Sequence, residues 1–196
     1  MHGSENVSPW VARWAHLVSG HVLDLACGLG RHSFYFLEQN CTVTSVDIAP
    51  TAIESIAGRL SAEQRGRCER LLADLENAPW PFAGRQFDAV IVTNYLWRPL
   101  LPAIVRSVAA GGVLIYETFA AGNETVGKPS RADFLLQPGE LLQTCAGLRV
   151  VAYEDGFMSS PERFVQRIVA VNESAGPQTH QKSPEKASKT PLRRHL

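Results

Sequence analysis

No two of the four cysteines stand close enough to form a C-x-x-C pair; Cys27, Cys41, Cys68 and Cys145 are scattered along the chain. Zinc sites and disulfide frameworks show closer, paired spacing. Neither is expected, and the cysteines read as reduced thiols of a cytoplasmic protein. Charge of one sign is not in excess. Lys plus Arg and Asp plus Glu both number 19, a net charge of zero. That removes the broad attraction on which non-specific nucleic-acid binders rely. No apolar run reaches the ~18 residues that span a bilayer, and the opening MHGSENVSPWVARWAHL lacks the charged-then-apolar order of a secretory signal. There is no internal repeat. What is present is a 196-residue chain, 45% hydrophobic and 19% charged, enough for one domain with a full core.

The chain divides into three by composition. Residues 173–196, ending in Arg193 and Arg194, hold almost no apolar side chains after Ala175 and read as a disordered basic tail. Residues 1–19 hold Trp10 and Trp14, four apart behind Ser8 and Pro9, the cap and first residue of a short helix that caps the domain. Residues 20–172 alternate. Apolar runs at 21–26, 42–47, 69–73, 87–93, 112–118, 148–154 and 163–171 read as strands. Helices are expected at 31–39, at 50–60 from Pro50, around 96–109 with a late start at Pro99 or Pro102, and at 138–146 from Pro138. Alternation implies a parallel sheet with helices on both faces. Only DGFMSSPE separates the last two runs, a length that suits a hairpin and reverses the final strand.

Ligands of open parallel sheets sit beyond the carboxyl ends of the strands. The run VLDLACGLGR ends its strand at Asp24-Leu25 and bends through Gly28 and Gly30, which let a ligand approach the backbone. A dinucleotide fingerprint needs glycine where Ser33 stands. Asp24 beside the turn favours a ligand bearing an ammonium group over a pyrophosphate. Asp47 ends the second strand 19 residues after Gly28, placed to accept from ribose hydroxyls or to cap the helix at Pro50. Asp74 ends the third strand, placed to accept from an adenine amino group or simply to hold a turn.

The set VLDLACGLGR, VTSVD, ADLE, FDAVIVTNYL and GGVLIYETF, over roughly 20–171, resembles the successive motifs of class I S-adenosylmethionine-dependent methyltransferases. Within that class the chain looks like the small stand-alone bacterial enzymes described as tellurite-resistance-type. Ala26 stands where the family pattern has its first glycine. The resemblance implies an α/β fold, a doubly wound, seven-stranded, Rossmann-like sheet, mostly parallel with an antiparallel last strand. It implies S-adenosyl-L-methionine as cofactor, held by Asp24, Ala26, Cys27, Gly28, Gly30 and Arg31 at the turn, Asp47 with Ile48 at the ribose, Asp74 with Leu75 at the adenine, and Asn94 with Tyr95 at the methionine end.

Methyl transfer from a sulfonium needs mainly alignment and desolvation. No Ser/His/Asp set or metal cluster is assembled by the sequence, so no catalytic residue is assigned. Candidates for the acceptor pocket are Trp10, Trp14, His32, Glu117 and Arg131. The long segment 120–140 is expected to cap that pocket, with Glu117 at its base. His32 reads more readily as a structural partner, and the two tryptophans as a helix face packed on the sheet edge. The expected acceptor is a small molecule; an RNA or protein acceptor and a non-catalytic cofactor-binding subunit are the alternatives. Nucleic acid and membrane partners are not expected, and the chain is expected as a monomer or homodimer.

Overall fold

The computed structural model describes residues 6–173, so the expectations for the tail beyond Glu173 lie outside the described residues. Seven strands form one sheet: β1 (His21–Leu25), β2 (Thr42–Asp47), β3 (Cys68–Leu72), β4 (Phe87–Thr93), β5 (Val108–Phe119), β6 (Arg149–Ser159) and β7 (Glu162–Val171). Their order is β3-β2-β1-β4-β5-β7-β6. The first five pair in parallel, and β7 runs antiparallel to both β5 and β6.

Strand alternation sorts side chains into two cores. Leu23, Leu25, Val90, Val92, Leu114, Tyr116, Ile168 and Ala170 face one side, packed by Leu101 and Ile104 of α5 (Leu101–Arg106) and Leu141 of α6 (Glu140–Thr144). Val22, Ala89, Ile91, Val113, Ile115 and Val169 face the other. There they meet Trp10 and Val11 of α1 (Pro9–Trp14), Phe36 and Leu37 of α2 (Arg31–Glu38), and Ile56 of α3 (Pro50–Arg59). Both faces are thus covered, as the apolar runs of β4 and β5 require.

Ser8 caps α1, its hydroxyl accepting from the Trp10 and Val11 amides. Several elements depart from the sequence reading, β5 among them, which begins at Val108 rather than 112. DGFMSSPE is mostly strand: β6 runs to Ser159 and β7 starts at Glu162. Cross-strand pairing of Phe157 with Phe164, centroids 5.1 Å apart, draws the pair out to a two-residue turn. The expected 138–146 helix shrinks to 140–144, because Gly139 at φ 73° is left-handed and Pro138 stands outside it. A four-residue helix at Ala62–Arg65, closed by a Ser61/Gln64 capping box, was not expected. No helix among the described residues is long and apolar enough to cross a membrane.

Candidate cofactor and acceptor site

The strand order reverses at β1, so its carboxyl end opens a crevice between β2 and β4. Ala26, Gly28 and Gly30 all take left-handed backbone there, at φ 50°, 54° and 78°. The Cys27 amide donates to the Val46 carbonyl at 3.0 Å, tying the turn to β2. Burial pushes the Cys27 thiol far up, which keeps it protonated. A Cβ on Gly28 would meet nothing within 4 Å, so this residue borders open space. A Cβ on Gly30 would come within 2.7 Å of Ile56 Cγ1, so glycine here lets α2 and α3 pack closely.

Asp47 does two jobs. One carboxylate oxygen accepts from the Gly28 amide at 2.8 Å, the other from the Ala49 amide at 2.9 Å. It fixes the turn and leads into α3, and each oxygen keeps a lone pair for a ligand. Ile48 and Leu29 stand 61% and 50% exposed, apolar side chains left out beside the turn. Asp74 accepts from the Glu76 and Asn77 amides and from the Asn77 side chain, and these bonds hold its carboxyl below the usual range. Leu75 next to it is buried. Asn94 is left-handed at φ 54° and exposed, its amide donating to the Glu117 carbonyl. The Tyr95 hydroxyl is buried without a protein partner. Burial, then the negative charges of Glu76, Asp74 and Asp47, raise its pKa.

Several expectations change. Asp24 does not stand open beside the turn. It is 2% exposed beneath it, accepting from the Ser33 hydroxyl at 2.6 Å, and burial pushes its carboxyl up to about 7. Ser33, which breaks the dinucleotide pattern, is thus the residue that holds Asp24, with Ser45 Oγ 2.8 Å behind it. His32 is buried and takes up the structural role that the sequence also allowed. Its Nε2 accepts from the Ser8 amide at 3.2 Å, which places its proton on Nδ1, facing Thr93 Oγ1 at 3.5 Å. Burial lowers its pKa to about 3, and it joins α1 to α2 as a neutral ring. Arg131 pairs with Asp133 and lies over Phe134, mostly in solvent. The 120–140 segment packs with α5 and α6 through Leu136, so Glu117, on the opposite face, is not at its base.

Glu117 lies instead under α1. It is 3% exposed, 3.1 Å from Arg167 Nε, and Arg167 lies over the Trp10 ring at 5.7 Å. Trp10 is buried and stacks edge-on against Trp14. Arg31 reaches the Thr93 hydroxyl at 3.3 Å. The sequence reading missed Arg163, Arg167 and Thr93. A signal existed: Arg163, Val165, Arg167 and Val169 share one face of β7, so two arginines occupy an inward, otherwise apolar row. Among the described residues no group of His, Cys, Asp and Glu forms a metal site.

This sheet order, with a left-handed turn and an aspartate at successive strand tips, defines a class I methyltransferase fold. Residues 22–112 match the family model for a methyltransferase domain. Over those residues the chain is similar to methyltransferase domains, and its fold is that of the solved methyltransferases described below. It is similar to the malonyl-[acyl-carrier protein] O-methyltransferase of Serratia marcescens, 32% identical over 108 residues, covering 52% of this chain and 39% of that protein. The protein of the same name from Paenibacillus sp. (strain JDR-2) is 28% identical over 106 residues, covering 50% and 38%. The chain therefore spans about two fifths of the length of these curated relatives. Among solved structures, TehB from Haemophilus influenzae superposes with a TM-score of 0.68 at 21% identity, over 85% of this chain and 63% of that one. The glycopeptide N-methyltransferase MtfA, complexed with S-adenosylmethionine, superposes with a TM-score of 0.57 at 20% identity, over 82% and 92%.

Proposed function

We propose that the chain transfers a methyl group from S-adenosylmethionine to a small-molecule acceptor by in-line displacement. One observation carries the reading: Asp47, fixed by the Gly28 amide, borders the open side of Gly28, with the unpartnered Tyr95 hydroxyl near it. That is a crevice offering backbone, carboxylate and phenol to one nucleoside. The cofactor supplies a methyl group on a positively charged sulfur. Asp47 would accept from the ribose hydroxyls. Ile48, Asp74 and Leu75 would flank the adenine, and Asn94 and Tyr95 the methionine end. Arg31 would meet the carboxylate of the amino-acid portion, and Asp24, held by Ser33 beneath the turn, would support the turn from below. Ala26, Cys27, Gly28 and Gly30 shape the turn against it. The crevice residues would hold that methyl carbon in line with the acceptor atom and keep water from it.

The Serratia relative acts, by its name, on a malonyl group borne by a carrier protein; a screen of acceptors therefore includes carrier-bound acyl groups beside free metabolites. Titration calorimetry with S-adenosylmethionine tests the reading. The chain binds it, and Asp47→Ala weakens binding by about tenfold or more, a carboxylate's hydrogen bonds to hydroxyls being worth about 1.5–3 kcal/mol. Equal affinity in the variant overturns the placement of the ribose.

A further inference from the structure

The tip of β4 carries a hydroxyl whose direction its neighbours fix. Thr93 ends β4, and strand alternation sets its side chain on the face of Ala89 and Ile91, which pack with α1 and α2. Two N–H groups converge on its Oγ1. Arg31 Nη2 donates to it at 3.3 Å. His32 Nδ1 stands 3.5 Å away, a longer contact. Because His32 Nε2 accepts from the Ser8 amide at 3.2 Å, the proton of the neutral ring is on Nδ1 and points at Thr93. Burial keeps that ring neutral. A hydroxyl has two lone pairs and one proton. Both lone pairs of Thr93 therefore face donors, and no described residue accepts its proton. Ser33, two places after Arg31, is the contrast: its proton is committed to Asp24 at 2.6 Å. Thr93 is half-buried, and β4 ends beside β1, whose tip bears the left-handed turn. The unclaimed proton is thus at the border of the crevice.

On the methyltransferase reading above, we propose that Thr93 selects the cofactor by its carboxylate: the hydroxyl donates to the carboxylate of the amino-acid portion of S-adenosylmethionine, alongside Arg31. The place offers donors only. An ammonium group here would face a guanidinium and a hydroxyl whose lone pairs are taken. A carboxylate accepts at both oxygens and carries the charge opposite to that of Arg31. The layout of the sheet agrees. Asp47 at the tip of β2 and Asp74 just past β3 lie on one side of the β1 turn and suit groups that donate, hydroxyls and an amino group. Thr93 lies on the other side, on β4, and suits a group that accepts. The direction of its donor is set from α1: the Ser8 amide fixes the His32 tautomer, and His32 then offers Thr93 no acceptor.

The test uses the full chain and two ligands: S-adenosylmethionine, and its decarboxylated form, which keeps the adenosine, the sulfonium and the amine. In calorimetric titrations the parent binds S-adenosylmethionine more tightly. Thr93→Val, similar in shape but without the hydroxyl, weakens S-adenosylmethionine by about tenfold or more and the decarboxylated form by less than about twofold. The affinity kept for the decarboxylated form shows the variant folded. Thr93→Ser, which retains the hydroxyl, binds both ligands as the parent does. In an Arg31→Gln background Thr93→Val still lowers the preference by about threefold or more, because the hydroxyl itself touches the ligand. The proposal is overturned if the parent binds the two ligands equally, if Thr93→Val weakens both to the same extent or neither, or if Thr93→Ser loses the preference. It is overturned too if Thr93→Val has no further effect in the Arg31→Gln background, which reduces Thr93 to a prop for Arg31. A parent that binds neither ligand overturns the methyltransferase reading instead.

Discussion

Two neighbouring residues make stability respond to pH in opposite senses. In the folded chain Asp24 keeps its proton up to about pH 7, far above the ordinary 3.8. From about pH 4 to 7 the native state therefore holds one proton more than the unfolded chain, and stability falls as pH rises, by up to about 1.4 kcal/mol per pH unit. His32 stays neutral down to about pH 3 against an ordinary 6.5. Between those values the unfolded chain holds the extra proton, and stability rises with pH at a similar slope. From about pH 4 to 6.5 the two slopes oppose each other. Asp24→Asn leaves the His32 slope unopposed, so the variant gains stability relative to the parent as pH rises from about 4 to 7, by about 1 kcal/mol per unit. Urea titrations of both proteins across that range measure it, and parallel curves contradict the assignment. At the same turn Ala26 holds φ 50°, a conformation that costs a non-glycine residue roughly 1 kcal/mol. Ala26→Gly is expected to raise the unfolding free energy by up to about that amount, read from the urea midpoint. Both effects depend on residues quoted from the sequence, yet neither was legible there. The one-dimensional pattern placed Asp24 beside the glycines, and only the packing of α2 on β1 shows that Ser33 covers it.

Arg98 decides how the long 120–140 segment sits. Its guanidinium donates twice to Glu140, at 2.7 and 2.9 Å, and to the carbonyls of Asp133 and Leu135, at 2.9 and 2.8 Å. Asn123 closes the other end, donating to the Pro129 carbonyl and accepting from the Phe164 amide. The segment is thus tied at both ends, with an exposed stretch over 124–134 between them. Arg98→Ala removes four bonds and leaves Glu140 without its cation. It is expected to cost about 2–3 kcal/mol and to speed proteolytic cleavage within 124–134; an unchanged cleavage rate would show that the packing of Leu135 and Leu136 suffices. The elements were legible wherever hydrophobic period and turn residues agreed: β1, β2, β4, α2 and α3 fall within a residue or two of their expected spans. They were misread where long-range pairing overrode local chemistry. Glycine and serine in DGFMSSPE signal a loop, but β6 and β7 go on pairing with each other past the end of β5, through Phe157 opposite Phe164 to Ser159 opposite Glu162.

At the scale of the molecule, one sheet divides the labour between its faces and its ends. The carboxyl ends of β1, β2 and β4 make the crevice, and the face under α1 carries the polar cluster of Glu117, Arg163 and Arg167. The crevice was legible because its residues are contiguous motifs. The cluster was not, because it is assembled from α1, β5 and β7, more than 150 positions apart in the chain, and no local spacing announces it. The same assembly makes α1 part of the core rather than a cap laid upon it: Trp10, Val11 and Ala15 pack with Val22, Ile91 and Ile115 in one cluster. Trp10→Ala is therefore expected to cost about 3–5 kcal/mol, the usual range for deleting a buried aromatic ring. It also uncovers Arg167, so the ion pair with Glu117 gains access to water and weakens as salt is added. A thermal melt with and without about 0.5 M sodium chloride separates the two effects, since screening at that ionic strength acts within a few ångströms of exposed charge. Were α1 a detachable cap, the variant would melt like the parent and bind the cofactor equally well. A large loss of stability that deepens with salt fixes α1 as the wall holding the cluster closed.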